Sequence, residues 1–427
     1  MIRWLPMRWI AGLAGLGLVL RLLYAWPLQE RPFSDMRNDE TMAMNLLGGR
    51  GLTLDNGFAA YRAPGYPLFL AGLYRISGYG TSAVADRSGD AAPHYFIVRG
   101  AQCVLGAVVV ILVGWAGFRL AGRTTAILAA GLAACSRDLI FWTPKLSTEA
   151  LYTCLAVATV AALIAWMRDP RARWLIAAGV AGGLAGLTRP VMYGFIPLAA
   201  GWVWWTARAG GGKPRPYATA GIFLLVTALT VLPWGIRNLL RLGTFRITPT
   251  NAGHSLHVAN NPDVRIGGPG MDLKYEILRE RLTAEGLGEL EQDRWYAART
   301  LEWIFEKPGR YAALAVGRLW FMLARDVFPL SQVPFDRMEF LGGVRIPLAP
   351  WGVWAAPFVL VGLRISLRSG GAWAPVILFL GASLLAHALT ASEPRYRAPL
   401  VPWAALLAAT GASAPATPRA ALVALLG

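Results

Sequence analysis

Long apolar segments separated by short polar connections make up the first half of the chain. Residues 9–28 form one such segment, interrupted only by Arg21, and residues 95–118 form another. Each is about long enough to cross a lipid bilayer, which takes roughly 20 mostly apolar residues. The pattern predicts an all-α polytopic membrane protein. Five further segments would bring the first half to seven crossings: 124–141, 149–167, 174–188, 191–207 and 217–234.

The second half begins with a polar region and continues with less regular apolar segments. Residues 235–310 contain turn signals, among them GGPG at 267–270, followed by a charged amphipathic stretch from Asp272 to Lys307 that predicts helix. We interpret this region as a second extracytoplasmic loop.

Residues 311–328 form an apolar segment that carries Arg318, Arg325 and Asp326 on one polar face. Such a segment can lie along the membrane interface or span the bilayer. If it lies along the interface, the chain has ten crossings and the EPRYR motif at 393–397 faces the same side as the first loop. If it spans, that motif faces the opposite side. The positions of the later arginines favour the interfacial arrangement.

Composition agrees with a core buried in lipid and sets its orientation. Hydrophobic residues make up 56% of the chain and charged residues 15%. The formal charge of +17 comes from 37 arginines against 4 lysines, which gather in short connections such as 168–173 and 208–216. Connections of this kind stay in the cytoplasm, so the charge argues against nucleic acid as a partner. Cys103, Cys135 and Cys154, odd in number and without metal-binding spacing, are interpreted as packing residues.

The basic N-terminus enters the first apolar segment without a small-x-small cleavage site, so this segment is interpreted as a retained helix. Loop 29–94 then lies outside, and the protein is a multi-pass protein of the cell (inner, cytoplasmic) membrane. Three regions follow: a membrane core at 1–234 that includes the first extracytoplasmic loop (29–94), a second extracytoplasmic loop at 235–310, and C-terminal membrane helices at 311–427.

The first loop concentrates ionisable residues at a membrane surface. Asp35 and Asp39 lie four residues apart, on one side of a helix predicted to begin near Ser34 and to end at Gly48 and Gly49. Two such carboxylates can hold a divalent metal ion or act as base for an acceptor hydroxyl. Alternatively, Asp35 only caps the helix, and Asp39 pairs with Arg37 or with solvent.

The YRAPGYP motif at 61–67 contains two prolines, which stiffen the backbone and hold Arg62 and Tyr66 in defined directions. An arginine at the membrane boundary suits a lipid phosphate, to which it can donate two parallel hydrogen bonds. It can equally be an interfacial anchor, with the tyrosine in an aromatic belt. Arg62 and Tyr66 are therefore candidate substrate-binding residues.

Further candidates lie at the predicted outer ends of membrane helices. Glu149 enters a membrane helix from an outer turn, where it either accepts hydrogen bonds from the helix N-terminus or belongs to the site. Four arginines also lie at outer ends, where the positive-inside rule does not favour arginine: Arg189, Arg237, Arg395 and Arg397. Together they indicate an anionic ligand on that face.

Several motifs, taken in chain order, resemble those of the C-type (GT-C) membrane glycosyltransferases. They are NLLGGRG after Asp35, RAPGYPLFLA, LSTEAL, GLAGLTRP, PWGIRN, NAGHSLHVANNP and EPRYRAPL. The chain is most similar to the branch that contains bacterial aminoarabinose transferase, protein O-mannosyltransferases and the rhizobial lipopolysaccharide-core glycosyltransferases. The resemblance covers nearly the whole chain, and the ordered set is more specific than any single motif.

This resemblance implies a GT-C-like core of about 10–11 helices of membrane-crossing length, with extracytoplasmic juxtamembrane helices. It also implies a polyprenyl-phosphate-linked sugar donor, inverting transfer outside the membrane, and an essential aspartate in the first outer loop. Asp35 matches that aspartate. The family often has Asp-Glu there, so the displaced Asp39 and Glu40 are the alternative. Acceptor recognition is expected from the 235–310 region or from a partner protein.

The predicted activity is transfer of a sugar from polyprenyl phosphate to a glycolipid, polysaccharide or protein of the cell envelope. Asp35 would deprotonate the acceptor hydroxyl or orient it through a metal, while arginines stabilise the departing phosphate. His254 and His257 can join Asp39 or Glu149 in a divalent metal site, although a histidine in a polar loop is more often simply solvated.

Two other classes of function are considered. A carrier or flippase for lipid-linked sugars is expected to show internal repeats and charged or interrupted helices near the bilayer midplane. The sequence shows no clear repeat, and its charges gather at helix ends. A non-catalytic assembly subunit would tolerate replacement of Asp35, Asp39 and Glu149.

Overall fold

The protein is a bundle of α-helices. The computed structural model describes residues 5–28, 32, 34–78, 92–209, 215–265, 273–324, 339–340, 344–345 and 355–414. The predicted GGPG turn at 267–270, together with Arg325 and Asp326, lies outside these residues. The helices are α1 (Leu5–Ala25), α2 (Asp35–Leu47), α3 (Gly65–Ile76), α4 (Ala92–Ala121), α5 (Arg123–Ala134), α6 (Arg137–Trp142), α7 (Glu149–Arg168), α8 (Ala172–Thr188), α9 (Met192–Ala209), α10 (Pro216–Leu242), α11 (Ala252–Ala259), α12 (Leu273–Ala284), α13 (Glu289–Glu306), α14 (Pro308–Ala324), α15 (Ala356–Arg368), α16 (Ala374–Leu389) and α17 (Val401–Ala412).

The remaining regular structure is short. An antiparallel pair joins β1 (Glu339–Phe340) to β2 (Val344–Arg345). Two 3-10 turns, at Gly371–Trp373 and Pro394–Arg397, precede α16 and α17. The predicted all-α polytopic fold is confirmed.

Six of the seven apolar segments predicted in the first half each coincide with one helix, whereas 124–141 is divided into α5 and α6 at Cys135 and Ser136. Across the described residues, five helical segments are long and apolar enough to cross a membrane, and three shorter helices are also apolar. The count of ten crossings stays a prediction. The five are Met7–Ala25, Tyr95–Ala121, Glu149–Arg168, Pro216–Leu242 and Gly371–Leu389, and the three are Arg123–Ala134, Ala172–Thr188 and Val401–Ala412.

Small residues bring the membrane helices close together. Helix α8 packs on α7 and α10, with Gly179 and Gly183 at the second contact. A Cβ atom at Gly179 would lie 2.8 Å from Val226 Cβ, and one at Gly183 would lie 2.6 Å from Thr230 Cβ. Close backbone approach at small residues replaces the hydrophobic effect as the source of helix association in lipid.

Arg21, the one charge in the first apolar segment, lies fully buried against the end of α5. Its Nη1 donates to the carbonyl oxygens of Gly17 at 2.8 Å and Ala134 at 3.2 Å, and its Nη2 donates to that of Ala133 at 3.3 Å. The last carbonyl groups of a helix have no partner within the helix. Arg21 therefore caps the point where α5 breaks before α6.

Helix α14 packs beside α16 and the 3-10 turn at 394–397. The Tyr311 hydroxyl and the Arg318 guanidinium donate to the carbonyl oxygens of 389 and 388. Arg397 donates to the carbonyl oxygen of Met322. Contacts from both ends of α14 therefore reach residues 388–397, and the interfacial arrangement stays a prediction.

Candidate active site

A cavity of about 360 Å³ lies at the end of the bundle where the predicted outer segments meet. Its walls come from α2, the loop before α3, the α8–α9 connection, the segment before α11, the end of α16 and the 3-10 turn at 394–397. Five charged side chains that the sequence singled out line this cavity: Asp35, Asp39, Arg62, Arg189 and Arg395.

The acidic helix of the first loop forms as predicted, from Asp35 to Leu47 with Gly48 as its C-cap. Met36 and Met42 are buried in two different apolar clusters, on different sides of the helix. Asp35 and Asp39, one turn apart, both face the cavity. Their spacing of four residues is therefore sufficient to aim both carboxylates in the same direction.

Arg62 bridges the two aspartates. Its Nε and Nη2 donate to the two carboxylate oxygens of Asp39 at 3.0 and 3.2 Å, and its Nη1 lies 3.2 Å from Asp35 Oδ1. The Asp39 side chain is only 2% exposed, whereas that of Asp35 is 27% exposed because it opens into the cavity. Asp39 therefore holds the arginine, and Asp35 is the carboxylate that a ligand can reach.

A second arginine extends this network across the cavity. Arg395 Nη2 donates to Asp35 Oδ2 at 2.9 Å, and its Nε lies 2.6 Å from Glu393 Oε2 and 3.7 Å from Glu149 Oε1. Arg189 Nη1 donates to Glu149 Oε1 at 2.9 Å. Glu149 is 1% exposed. Carboxylates and guanidinium groups thus alternate in one continuous chain, and the buried Glu149 fixes two of the arginines.

The pKa values of the two aspartates are shifted in opposite directions. Burial alone would raise the pKa of Asp35, but the positive charges of Arg62 and Arg395 hold it below its usual range. Burial raises the pKa of Asp39, and Arg62 offsets only part of that effect. Glu40, the other alternative acid, does not line the cavity and accepts a hydrogen bond from the Tyr74 hydroxyl at 3.2 Å.

Two predicted substrate-binding residues lie away from the cavity. The Tyr66 hydroxyl is buried and donates to Gln102 Oε1 at 2.8 Å. Arg237 donates to the carbonyl oxygens of Ala59 at 2.6 Å and Leu52 at 2.9 Å. In the structure Tyr66 is a packing residue and Arg237 holds the first loop, because both side chains face protein rather than the cavity.

The residues proposed for a divalent metal do not come together. His254 packs on the Tyr296 ring with centroids 5.1 Å apart, His257 hydrogen-bonds the Thr300 hydroxyl at 2.9 Å, and neither lines the cavity. Burial lowers the pKa of His254 to about 4. Across the described ranges, no three His, Cys, Asp or Glu side chains are placed to hold a metal ion. The candidates Asp39 and Glu149 are instead paired with arginine, so these residues do not fit a metal site.

Three further residues of the site were not singled out from the sequence. The Tyr396 ring stacks on His387 with centroids 4.7 Å apart. The Arg189 guanidinium carbon lies 4.4 Å from the centre of the Tyr396 ring. Tyr396 and the acid Glu393 belong to the EPRYR motif, which was the available signal. His387 lies in an apolar helix, where no pattern marked it.

The middle of the chain matches a known family. Residues 55–247 match the family model for dolichyl-phosphate-mannose-protein mannosyltransferase. The match contains Arg62, Glu149 and Arg189 but begins after Asp35 and Asp39. No curated protein sequence matched the chain significantly.

Solved structures of similar fold extend the comparison to nearly the whole chain. ArnT from Cupriavidus metallidurans bound to undecaprenyl phosphate gives a TM-score of 0.54 at 15% identity, covering 98% of this chain and 62% of that chain. The archaeal oligosaccharyltransferase AglB from Archaeoglobus fulgidus, in complex with an inhibitory peptide and a dolichol-phosphate, gives 0.56 at 12% identity, covering 96% and 50%. The Archaeoglobus fulgidus oligosaccharyltransferase complex with Zn and sulfate gives 0.52 at 11% identity, covering 94% and 48%.

These similarities establish the fold. The protein has the fold of the C-type membrane glycosyltransferases, and the resemblance predicted from the ordered motifs is confirmed. The chain spans about half to three-fifths of the length of these solved structures.

Proposed function

We propose that the protein is a membrane glycosyltransferase that moves a sugar from a polyprenyl-phosphate donor to an acceptor hydroxyl on the extracytoplasmic face of the cytoplasmic membrane. The observation that carries this proposal is a cavity in which one accessible carboxylate, Asp35, lies between two arginines, Arg62 and Arg395. The lipid phosphates in the ArnT and AglB structures support a donor of this class.

The arginines bind the donor phosphate and stabilise it as it leaves. Arg62, Arg189 and Arg395 all line the cavity, and a guanidinium group can donate two parallel hydrogen bonds to a phosphate. When the bond between the anomeric carbon and the phosphate oxygen breaks, its electron pair stays on that oxygen. The additional negative charge then forms beside groups already in position, which is the arrangement that lowers such a barrier most.

Asp35 acts as the base in this proposal. It takes the proton of the acceptor hydroxyl while the acceptor oxygen bonds to the anomeric carbon, on the face opposite the departing phosphate, so the configuration inverts. In the resting site, Arg62 and Arg395 lower the pKa of Asp35, which makes it a weak base. A donor phosphate competes for both arginines, so its binding restores the basicity of Asp35 when it is needed.

The second extracytoplasmic loop supplies another part of the cavity wall. Thr248, Pro249, Asn251 and Ser255 line the cavity there. An acceptor that approaches Asp35 would pass these side chains, so we assign acceptor contacts to this wall, alone or together with a partner protein. The acceptor class is a glycolipid, polysaccharide or protein of the cell envelope.

Lipid-linked sugars in a deletion strain test the activity. We expect the polyprenyl-phosphate sugar to accumulate and an envelope acceptor to lack that sugar, with rescue by the wild-type gene and none by Asp35→Asn. Purified protein in detergent should still transfer the sugar, because an enzyme needs no separate compartments. A carrier or flippase gives no product in detergent, and that outcome, or full rescue by Asp35→Asn, would contradict the proposal.

Cysteine labelling tests the face. In a background without Cys103, Cys135 and Cys154, Asn56→Cys should react with an impermeant maleimide added outside, whereas Arg171→Cys should react only after the membrane is opened. The reverse pattern would place the cavity on the cytoplasmic side.

A further inference from the structure

The dipeptide Ala59–Ala60 is hydrogen-bonded on every side by the second extracytoplasmic region. Its two amide groups donate to the two carboxylate oxygens of Glu289, at 2.9 and 3.0 Å. The Ala59 carbonyl accepts from Arg237 at 2.6 Å, and the Ala60 carbonyl accepts from the Thr250 amide at 2.8 Å. All four backbone polar groups of the dipeptide therefore have partners from residues 235–310.

Glu289 is the centre of this arrangement. It is the first residue of α13, is 8% exposed, and also accepts a hydrogen bond from the Thr250 hydroxyl at 2.8 Å. Three donors on one buried carboxylate leave it little freedom, because moving it would leave several buried polar groups without partners.

Helix α13 is itself held firmly. Asp293, one turn after Glu289, accepts from the Gly253 amide at 2.6 Å and from Arg246 Nη2 at 2.5 Å. A Cβ atom at Gly253 would overlap the backbone carbonyl oxygen of Asp293, so only glycine allows this approach. The same helix thus fixes the loop at 59–60 and the segment at 248–256 that forms another part of the cavity wall.

Arg62 follows the fixed dipeptide by two residues. We propose that Glu289 is a positioning residue for Arg62: by holding the amides of Ala59 and Ala60, it places the Arg62 guanidinium where the donor phosphate binds. This role rests on the proposed function. It gives the second extracytoplasmic loop a part in donor binding through Arg62, without direct contact between Glu289 and the donor.

Binding of undecaprenyl phosphate to the purified full-length protein in nanodiscs tests this role. Glu289→Gln keeps the size of the side chain, but its NH₂ group would face an amide donor. We expect the dissociation constant to rise about tenfold, the size expected from losing one hydrogen bond to a charged group. Glu291→Gln is the matched control, because Glu291 lies on the same helix and only accepts from the exposed Gly288 amide. Its effect should stay below about twofold.

A double-mutant cycle shows whether Glu289 acts through Arg62. The variant Glu289→Gln/Arg62→Ala should bind as weakly as Arg62→Ala alone, because the second change then removes nothing more. If the two losses add, or if Glu289→Gln binds as the wild type does, the positioning role is wrong. If the wild type itself fails to bind undecaprenyl phosphate, the proposed function fails instead.

Thr250→Val keeps the test decisive if Glu289→Gln does not fold. It removes one of the three donors to Glu289 and leaves the charge in place. We expect binding to weaken about two- to threefold, with no further loss in the Arg62→Ala background. Unchanged binding in the folded Thr250→Val protein would overturn the role of Glu289.

Discussion

Replacing Asp35 by asparagine separates donor binding from catalysis. In the resting site Asp35 forms ion pairs with Arg62 and Arg395, the two arginines that we expect to bind the donor phosphate. Asparagine has nearly the same shape but carries no charge and accepts no proton. We therefore expect undecaprenyl phosphate to bind more tightly to Asp35→Asn than to the wild type, while sugar transfer is lost.

The contacts of Asp35 set the size of this effect. It lies 3.2 Å from Arg62 and 2.9 Å from Arg395, whose side chains are 16% and 7% exposed. The amide of asparagine still accepts hydrogen bonds from the two charged guanidinium groups, but the attraction between opposite charges is lost. We take this loss as about 1.4 kcal/mol, the free energy that corresponds to one pKa unit of interaction with the arginines. It becomes available to the phosphate and lowers the dissociation constant about tenfold. Loss of a general base lowers turnover about 10²- to 10⁴-fold.

Native mass spectrometry of the nanodisc-embedded protein, titrated with undecaprenyl phosphate, measures the affinity, and product formation measures turnover. Asp169→Asn is the control, because it removes the same charge from a surface site paired with Arg171 and Arg173. Equal or weaker binding in Asp35→Asn would refute the competition between Asp35 and phosphate. Near-normal transfer in Asp35→Asn, with failure of Asp39→Asn, would move the base by one helical turn.

Three further variants test the site and its support. Arg62→Lys should bind undecaprenyl phosphate better than Arg62→Ala but less well than the wild type, since lysine keeps the charge and loses the paired hydrogen bonds; equal affinities would leave Arg62 an anchor only. Arg395→Gln removes a cation that lowers the pKa of Asp35, so the acidic limb of the kcat/KM profile should move to higher pH, and an unmoved limb would contradict this. Gly65→Ala should lower the melting temperature, at about 1–3 kcal/mol of stability, because its Cβ would lie 2.6 Å from a side-chain oxygen of α8. The Gly72→Ala control, with open space around the new methyl group, should have little effect.

The sequence was sufficient for the features that depend on neighbouring residues. Apolar runs of bilayer length became helices at each predicted place in the first half, because the helix is the structure that satisfies the backbone in lipid. The acidic helix after Ser34 also follows from its own residues. Asp35 and Asp39 were aimed correctly because their spacing is a property of one helix turn.

Features that depend on distant residues were beyond the sequence pattern. Asp39 pairs with Arg62, 23 residues away, and Asp35 with Arg395, 360 residues away. Arg237 has the same boundary position in the sequence as the cavity-lining arginines, yet its side chain turns to the carbonyl oxygens of the first loop. Only the packing of the loop against α10 and α13 distinguishes these cases, so charge and position alone overestimated the number of phosphate ligands.

The contact between Arg21 and the end of α5 has a consequence for biogenesis. A lone arginine opposes insertion of a membrane helix, by about 2.5–3.5 kcal/mol at the centre and by less toward the ends. Arg21 lies four residues before the end of α1. Its carbonyl partners at 133 and 134 lie 112 and 113 residues further along the chain. At a synthesis rate of about 5–20 residues per second, roughly ten seconds pass before the ribosome has made those partners. We therefore expect the first helix to reach its full stability in the membrane only after α5 has been made and its last carbonyl groups accept hydrogen bonds from Arg21.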